Sequence, residues 1–331
     1  MKKIINDPNL VVQDMLEGFV YAHPNEVKVL PNTTVVVRKD APVSNKVGLV
    51  SGGGSGHEPA HAGYVGAGML DAAVAGEVFT SPTPDQVFEA IKAVDGGAGV
   101  LLIIKNYTGD VMNFEMAAEL AEAEGINVQQ VIVNDDVAVE DSSFTTGRRG
   151  IAGTVFVHKI AGAKASQGAS LEEVKAVAEK TIANVRSIGM ALTPCIVPAA
   201  GEPSFELNEN EMEIGIGIHG EPGIERKAIA TADEIATELT EKILDDMNLS
   251  SGEEVAVMIN GLGSTPEMEL YVVNKKVHEI LKDKGINVYD TFVGEFMTSL
   301  EMAGCSVTLL KVDDELKELL DAESKAPAFR K

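Results

Sequence analysis

The chain has 331 residues, enough for a sizeable core and for two units of the usual domain size, roughly 100–200 residues each. Its make-up, 45% hydrophobic and 24% charged, is that of an ordinary globular protein, and with no Trp and few other aromatics it offers no base-stacking platform for nucleic acid. A net charge of −24 repels phosphate backbones and anionic lipid, so nucleic acid and membrane surfaces are poor partners, whereas a small neutral substrate is not excluded.

The N-terminal "MKKIINDPNL" has no apolar core of a secretory signal, and no apolar run approaches the roughly 18 residues of a membrane helix. Cys195 and Cys305 are too few for a disulfide framework and belong to no C-x-x-C pair, so reduced thiols in a cytoplasm are expected.

In chain order, "TVVVRKD", "KVGLVSGGG", "DAAVAGEVF", "GVLLIIKN" and "NVQQVIVND" read as strands, short and rich in Val and Ile. Helical patterns lie between several of them. One begins at Thr83, an N-cap, followed by Pro84 as first helical residue; another, "VMNFEMAAELAEAEG", stops at Gly125. Alternating strands and helices imply a largely parallel α/β sheet. From about residue 150 to 190 two helical stretches form a pair. The Pro- and turn-rich "LTPCIVPAAGEPSF" then marks a boundary. The expected organisation is an N-terminal, largely parallel α/β domain over 1–190 and a smaller α+β domain over 191–331. In the second half, "EEVAVMINGLGSTPEMELYVVNKKVHEILKDKG" reads as strand, glycine loop and helix, with Thr265 as cap and Pro266 as first residue.

"LVSGGGSGHEPAH" fits the letters of three motifs. His57-Glu58-Pro59-Ala60-His61 matches H-E-x-x-H, but that motif needs both histidines on one helix face, and a mid-helix proline costs about 3 kcal/mol. A phosphate loop needs Lys and Ser/Thr after the last glycine, where this chain has His57 and Glu58. A G-x-S-x-G elbow fails because its final position is His57. A glycine-rich turn remains. The frame recurs as "EVAVMINGLGSTPE", without a histidine, so His57 is the added element.

The buried-strand pattern "LLIIKNYTGD" ends in Lys105 and Asp110. Ligands bind at the carboxyl ends of strands in parallel α/β sheets. Taken alone, Asp110 reads as a helix N-cap or turn residue before it reads as a substrate contact. His219 lies among glycines 215, 217 and 220 in "GIGIHGEPG" and reads either as a hydrogen-bonded turn residue or as a site residue. Arg148 and Arg149 in "GRRG" could meet a phosphate but also suit a helix start or a partner contact, and stay outside the candidate site.

Together "SGGGSGHEP", "GEVFTSPTPDQ", "LLIIKNYTGD", "NDDVAV", "GRRGIAGT", "VPAAGEPSF" and "GIGIHGEPGI" resemble the substrate-binding K subunit of the dihydroxyacetone kinases, from residue 2 to about 328. The resemblance implies a phosphotransferase in which His219 binds the ketone covalently as a hemiaminal. It implies that Asp110 is the base for the terminal hydroxyl and that His57 assists hemiaminal formation. Gly54, Ser55, Gly56, His57, Lys105 and Asp110 would contact substrate, with no metal or cofactor on this chain. A chain of this length also implies the phosphotransferase-system type, with ADP/ATP and Mg²⁺ on a separate L subunit recharged by a phosphohistidine carrier, and a homodimeric K subunit. Some relatives keep the histidine as non-catalytic dihydroxyacetone sensors that coactivate transcription, which is the alternative reading.

Overall fold

Short runs of β-branched and apolar residues build a first sheet from β1 (Val27–Val29), β2 (Val35–Arg38), β3 (Gly48–Ser55), β4 (Ala72–Val78), β5 (Val100–Lys105) and β6 (Val128–Val133). The computed structural model describes residues 2–138 and 147–331. Spatial order is β1-β2-β4-β3-β5-β6. The four strands β4-β3-β5-β6 are parallel, and β1 and β2 add an antiparallel edge. A second sheet holds β7 (Val185–Ala191), β8 (Glu211–Ile214), β9 (Glu225–Ala228), β10 (Glu254–Gly261), β11 (Asn287–Gly294) and β12 (Gly304–Lys311), in the order β11-β10-β12-β7-β8-β9. Only β10 and β11 run parallel there.

The helices are α1 (Val11–Ala22), α2 (Pro84–Val94), α3 (Thr108–Ala123), α4 (Thr154–Ser166), α5 (Leu171–Asn184), α6 (Ala232–Met247), α7 (Glu267–Asp283) and α8 (Asp314–Asp321). The period-2 alternation of the strands sorts them into layers. Val50, Leu102 and Ile104 pack under α2 and α3, while Leu49, Leu101 and Ile103 face α4 and α5. Ala256, Met258 and Leu310 of the second sheet press on that same middle layer, and Val255, Val257 and Ile259 turn outward to α6 and α7. The result is helix, sheet, helix, sheet, helix. Its position explains α4, which is buried around its whole circumference, at all but two of its positions, its polar His158 and Lys159 included.

Residue 190 falls inside β7, which pairs with β12 in the second sheet. We propose that the two units divide between α5 and β7 rather than within that strand, with the middle layer common to both. Thr83 and Pro84 start α2 as read from the sequence, although the Thr83 side chain makes no capping bond. Thr265 departs from its expected role. The N-cap of α7 is Pro266, and Thr265 Oγ1 instead donates to the Gly304 carbonyl at 2.6 Å and accepts from the Gly304 N–H at 2.8 Å. It ties the helix start to β12.

Candidate functional site

A parallel sheet brings the carboxyl ends of its strands to one edge. Here β3 ends in the glycine loop, β5 ends in Lys105, and Asp110 sits in the first turn of α3. Gly53, at φ +152°, makes this proximity possible. A side chain there would come within 2.7 Å of Lys105 Nζ and 3.4 Å of Asp110 Oδ2. Lys105 and Asp110 are both buried, with Nζ 3.8 Å from Oδ2. Burial lowers the Lys105 pKa, against the pull of Asp110 and Glu221.

The loop after β8 of the second sheet supplies His219. After β8 the chain turns through residues 215–222 and lays the His219 ring edge-on against His57 (4.7 Å between centroids), Tyr107 (4.6 Å) and Phe79 (5.2 Å). A cleft of about 420 Å³ opens beside it, lined by Gly54, Phe79, Tyr107, Asp110, His219 and Glu221 among others. It is wide enough for a small polyol-sized molecule.

Each ring has one fixed nitrogen. His57 Nδ1 lies 2.8 Å from the Thr298 carbonyl, which can only accept, so Nδ1 carries the proton and the buried Nε2 has no partner among the described residues. Burial first, then His219 and Lys105, hold His57 well below the usual imidazole range, so its Nε2 is a free base. The Thr298 carbonyl is itself positioned. Asn260, in β10, accepts from the N–H groups of Phe296 and Met297 at 2.8 and 2.9 Å and donates to the Met297 carbonyl at 2.8 Å. His219 Nδ1 lies 2.9 Å from Glu221 Oε1. Burial by itself would raise the Glu221 pKa, but His219 and Arg149 outweigh it and bring it down to about 2.

The structure thus gathers Gly54, His57, Lys105, Asp110 and His219. Ser55 and Gly56 lie on the same loop but face elsewhere. Ser55 Oγ donates to the Gly76 carbonyl at 2.7 Å, the Gly56 N–H is taken by the Glu58 carboxylate, and both residues line a separate cavity under α1. His57 and His61 diverge, since His61 Nδ1 meets His158 Nε2 at 3.0 Å behind the site. The segment between them forms turns, not a helix. Of the arginine pair, Arg148 binds Asp246, and the buried Arg149 binds Asp136 and the Gly215 carbonyl.

The cleft is lined by the His219 ring and by carboxylates, and the buried His57 ring, with its unprotonated nitrogen, packs against His219, a set suited to adding a nucleophile to a small carbonyl compound. Against families of known proteins, the chain matches the Dak1 domain over residues 17–328. It belongs to the Dak1 family. A relative from Listeria innocua, the dihydroxyacetone-binding subunit DhaK of PTS-dependent dihydroxyacetone kinase 1, is 61% identical over 315 residues, covering 95% of both chains. The corresponding subunit of Lactococcus lactis is 53% identical over 314 residues, covering 95% of this chain and 94% of that one. Among solved structures, the dihydroxyacetone kinase operon co-activator Dha-DhaQ matches with a TM-score of 0.90 at 38% identity, covering 95% and 97% of the two chains. The dihydroxyacetone kinase of C. freundii in complex with AMP-PNP and Mg²⁺ matches with a TM-score of 0.92 at 36% identity, covering 99% of this Dak1 chain and 61% of that one.

Phe79, Tyr107, Glu221, Thr298 and Asn260 carry no motif that singles them out in the sequence. Glu221 had a signal, an acid two residues after a histidine in a glycine turn. The contact between Thr298 and His57 joins positions 241 residues apart and leaves no local pattern.

Proposed function

We propose that this Dak1 chain is the dihydroxyacetone-binding subunit of a phosphotransferase-system-dependent dihydroxyacetone kinase. The observation that carries the reading is the meeting of His219 with His57 at a cleft that also holds Asp110. His219 Nε2 gives its lone pair to the ketone carbon, the carbonyl π pair moves to oxygen, and the oxygen takes a proton with His57 assisting. The hemiaminal fixes a substrate too small for many contacts, and orientation of this kind lowers the barrier of the next step. It also rejects glycerol, which has no carbonyl. Asp110 then takes the proton of the terminal hydroxyl as its oxygen attacks phosphorus, and the bond from phosphorus to ADP breaks. A positioned base contributes typically 10²–10⁴-fold.

The phosphoryl group comes from a nucleotide with Mg²⁺ on a separate L subunit, recharged by a phosphohistidine carrier of the phosphotransferase system. The K subunit acts as a cytoplasmic homodimer. Support comes from the two DhaK relatives, which match this chain end to end rather than through one module. A second reading, a dihydroxyacetone sensor that coactivates transcription, is favoured by the similarity to the co-activator Dha-DhaQ. Reconstitution with an L subunit and a phosphoenolpyruvate-fed donor system separates the two. Dihydroxyacetone phosphate is the expected product; its absence, with ketone still bound, would replace the kinase with the sensor.

A further inference from the structure

The sequence assigns no role to Arg149. In the structure it is buried, its Nε donates to Asp136 Oδ2 at 2.8 Å, and an Nη donates to the Gly215 carbonyl at 2.8 Å. Its other Nη lies near the Glu221 carboxylate but outside ion-pair distance, close enough that a methyl group on Gly217 would collide with both, and its charge helps hold Glu221 ionised. Glu221 in turn grips His219 twice. Oε2 accepts from the His219 backbone N–H at 2.9 Å, and Oε1 faces ring Nδ1 at 2.9 Å. An ionised carboxylate only accepts, so Nδ1 bears the proton and Nε2 carries the free lone pair. The second nitrogen of a working histidine is commonly set in this way by a carboxylate partner.

We propose that Asp136, Arg149 and Glu221 form a buried charge chain that fixes His219 as its Nδ1–H tautomer and partners the cationic ring of the ketone adduct, so that covalent capture takes up one proton. The adduct part rests on the function proposed above. When Nε2 bonds to the ketone carbon, the π pair moves to oxygen and oxygen is protonated from solvent, entering through the unpartnered Nε2 of His57. Nδ1 keeps its own proton because Glu221 is a far weaker base than imidazole. The ring then carries one positive charge opposite one negative carboxylate. The other groups facing His219 are His57 at the end of β3, Tyr107 before α3 and Asp110 across the cleft, with Lys105 buried behind them. Burial holds His57 neutral, so the cation is partnered by Glu221. These are positioning roles, since Arg149 and Asp136 act through Glu221, and Glu221 through His219.

Two measurements test this. In the free protein labelled with ¹⁵N-histidine, the His219 ring should show Nδ1 protonated and Nε2 bare at neutral pH; an Nε2–H ring overturns the proposal. This needs no substrate, so it stands apart from the proposed function. Calorimetry with dihydroxyacetone in two buffers of different ionisation enthalpy should then give about one proton taken up per site. Uptake near zero in the wild type, with adduct formed, overturns the charge-pair role even if no variant folds. Folded Glu221→Gln should lose most of the uptake and bind about tenfold or more weakly, the size of one hydrogen bond to a charged group. Wild-type uptake and affinity in Glu221→Gln would contradict the proposal. No ketone binding at all in the wild type would remove the function reading and leave the tautomer result in place.

Discussion

His57 and His219 share a side-chain type and differ in what fixes each ring. His57 gives its Nδ1 proton to a backbone carbonyl, and His219 faces a carboxylate. The neutral partner leaves His57 a buried base, and the charged partner suits His219 to carrying positive charge. Asp110→Asn should keep ketone binding and lower turnover by about 10²-fold or more, because the amide cannot take a proton; near-wild-type turnover in the reconstituted complex would remove Asp110 as the base. Asn260→Ala should loosen the 296–298 turn and with it the hold on His57, slowing adduct formation while Nδ1 of His219 stays protonated. A change in both rings would show general loosening instead. At this scale the sequence was legible where a polar residue follows a buried strand, as with His57, Lys105 and Asp110. It gave no sign that the Ser55 hydroxyl is used by the neighbouring strand. It was silent on Asn260, because only the fold brings β10 to the glycine loop.

Capping chemistry and periodicity account for most of the elements. Ser170 with Glu173 and Thr231 with Glu234 close full capping boxes at α5 and α6. Ser170→Ala should cost about 1 kcal/mol in urea unfolding and leave activity unchanged. A loss of activity would mean that the α5 terminus bears on the site. The helix pair after residue 150 was legible as helices, but its place was not. The sequence of α4, with Lys159 and His158 among its apolar residues, does not show that it is buried on every side, and two sheets packing on it is a tertiary fact. Phe156 is fully buried in α4, with its ring 5.6 Å from Phe292 of β11. Phe156→Ala should destabilise by about 3–5 kcal/mol and should do so for both sheets together. Selective loss of one half by hydrogen exchange would show that the middle layer belongs to one unit only.

The layered molecule stores its buried histidines in the neutral form. Burial pushes His57, His61 and His158 below the imidazole range, His158 to about 3. In the unfolded chain they titrate near 6.5. Below that pH the unfolded state binds protons that the folded state refuses, so stability is full above about 6.5 and falls toward acid, by about 1.4 kcal/mol per pH unit for each such group. Glu221, lowered from 4.5 to about 2, adds a loss of the same sign between those values. Asp136, raised to about 6 by burial, and the raised Asp135 and Glu58 oppose this loss, so the direct test is a difference: His158→Leu should make the loss of stability toward acid below pH 6.5 shallower than wild type by about one proton; an unchanged slope would contradict the neutral burial of His158. The sequence indicated a parallel sheet, but the layer shared by both sheets and the approach of His219 to the ends of the first sheet's strands depend on long-range packing. The central claim is that His219 captures a ketone, and the direct measurement is the one-bond coupling between ¹³C-carbonyl dihydroxyacetone and ¹⁵N-histidine in the protein. A carbon–nitrogen coupling to Nε2 of His219 that vanishes in His219→Ala is expected. Bound ketone with no such coupling, or a coupling that survives His219→Ala, would contradict it.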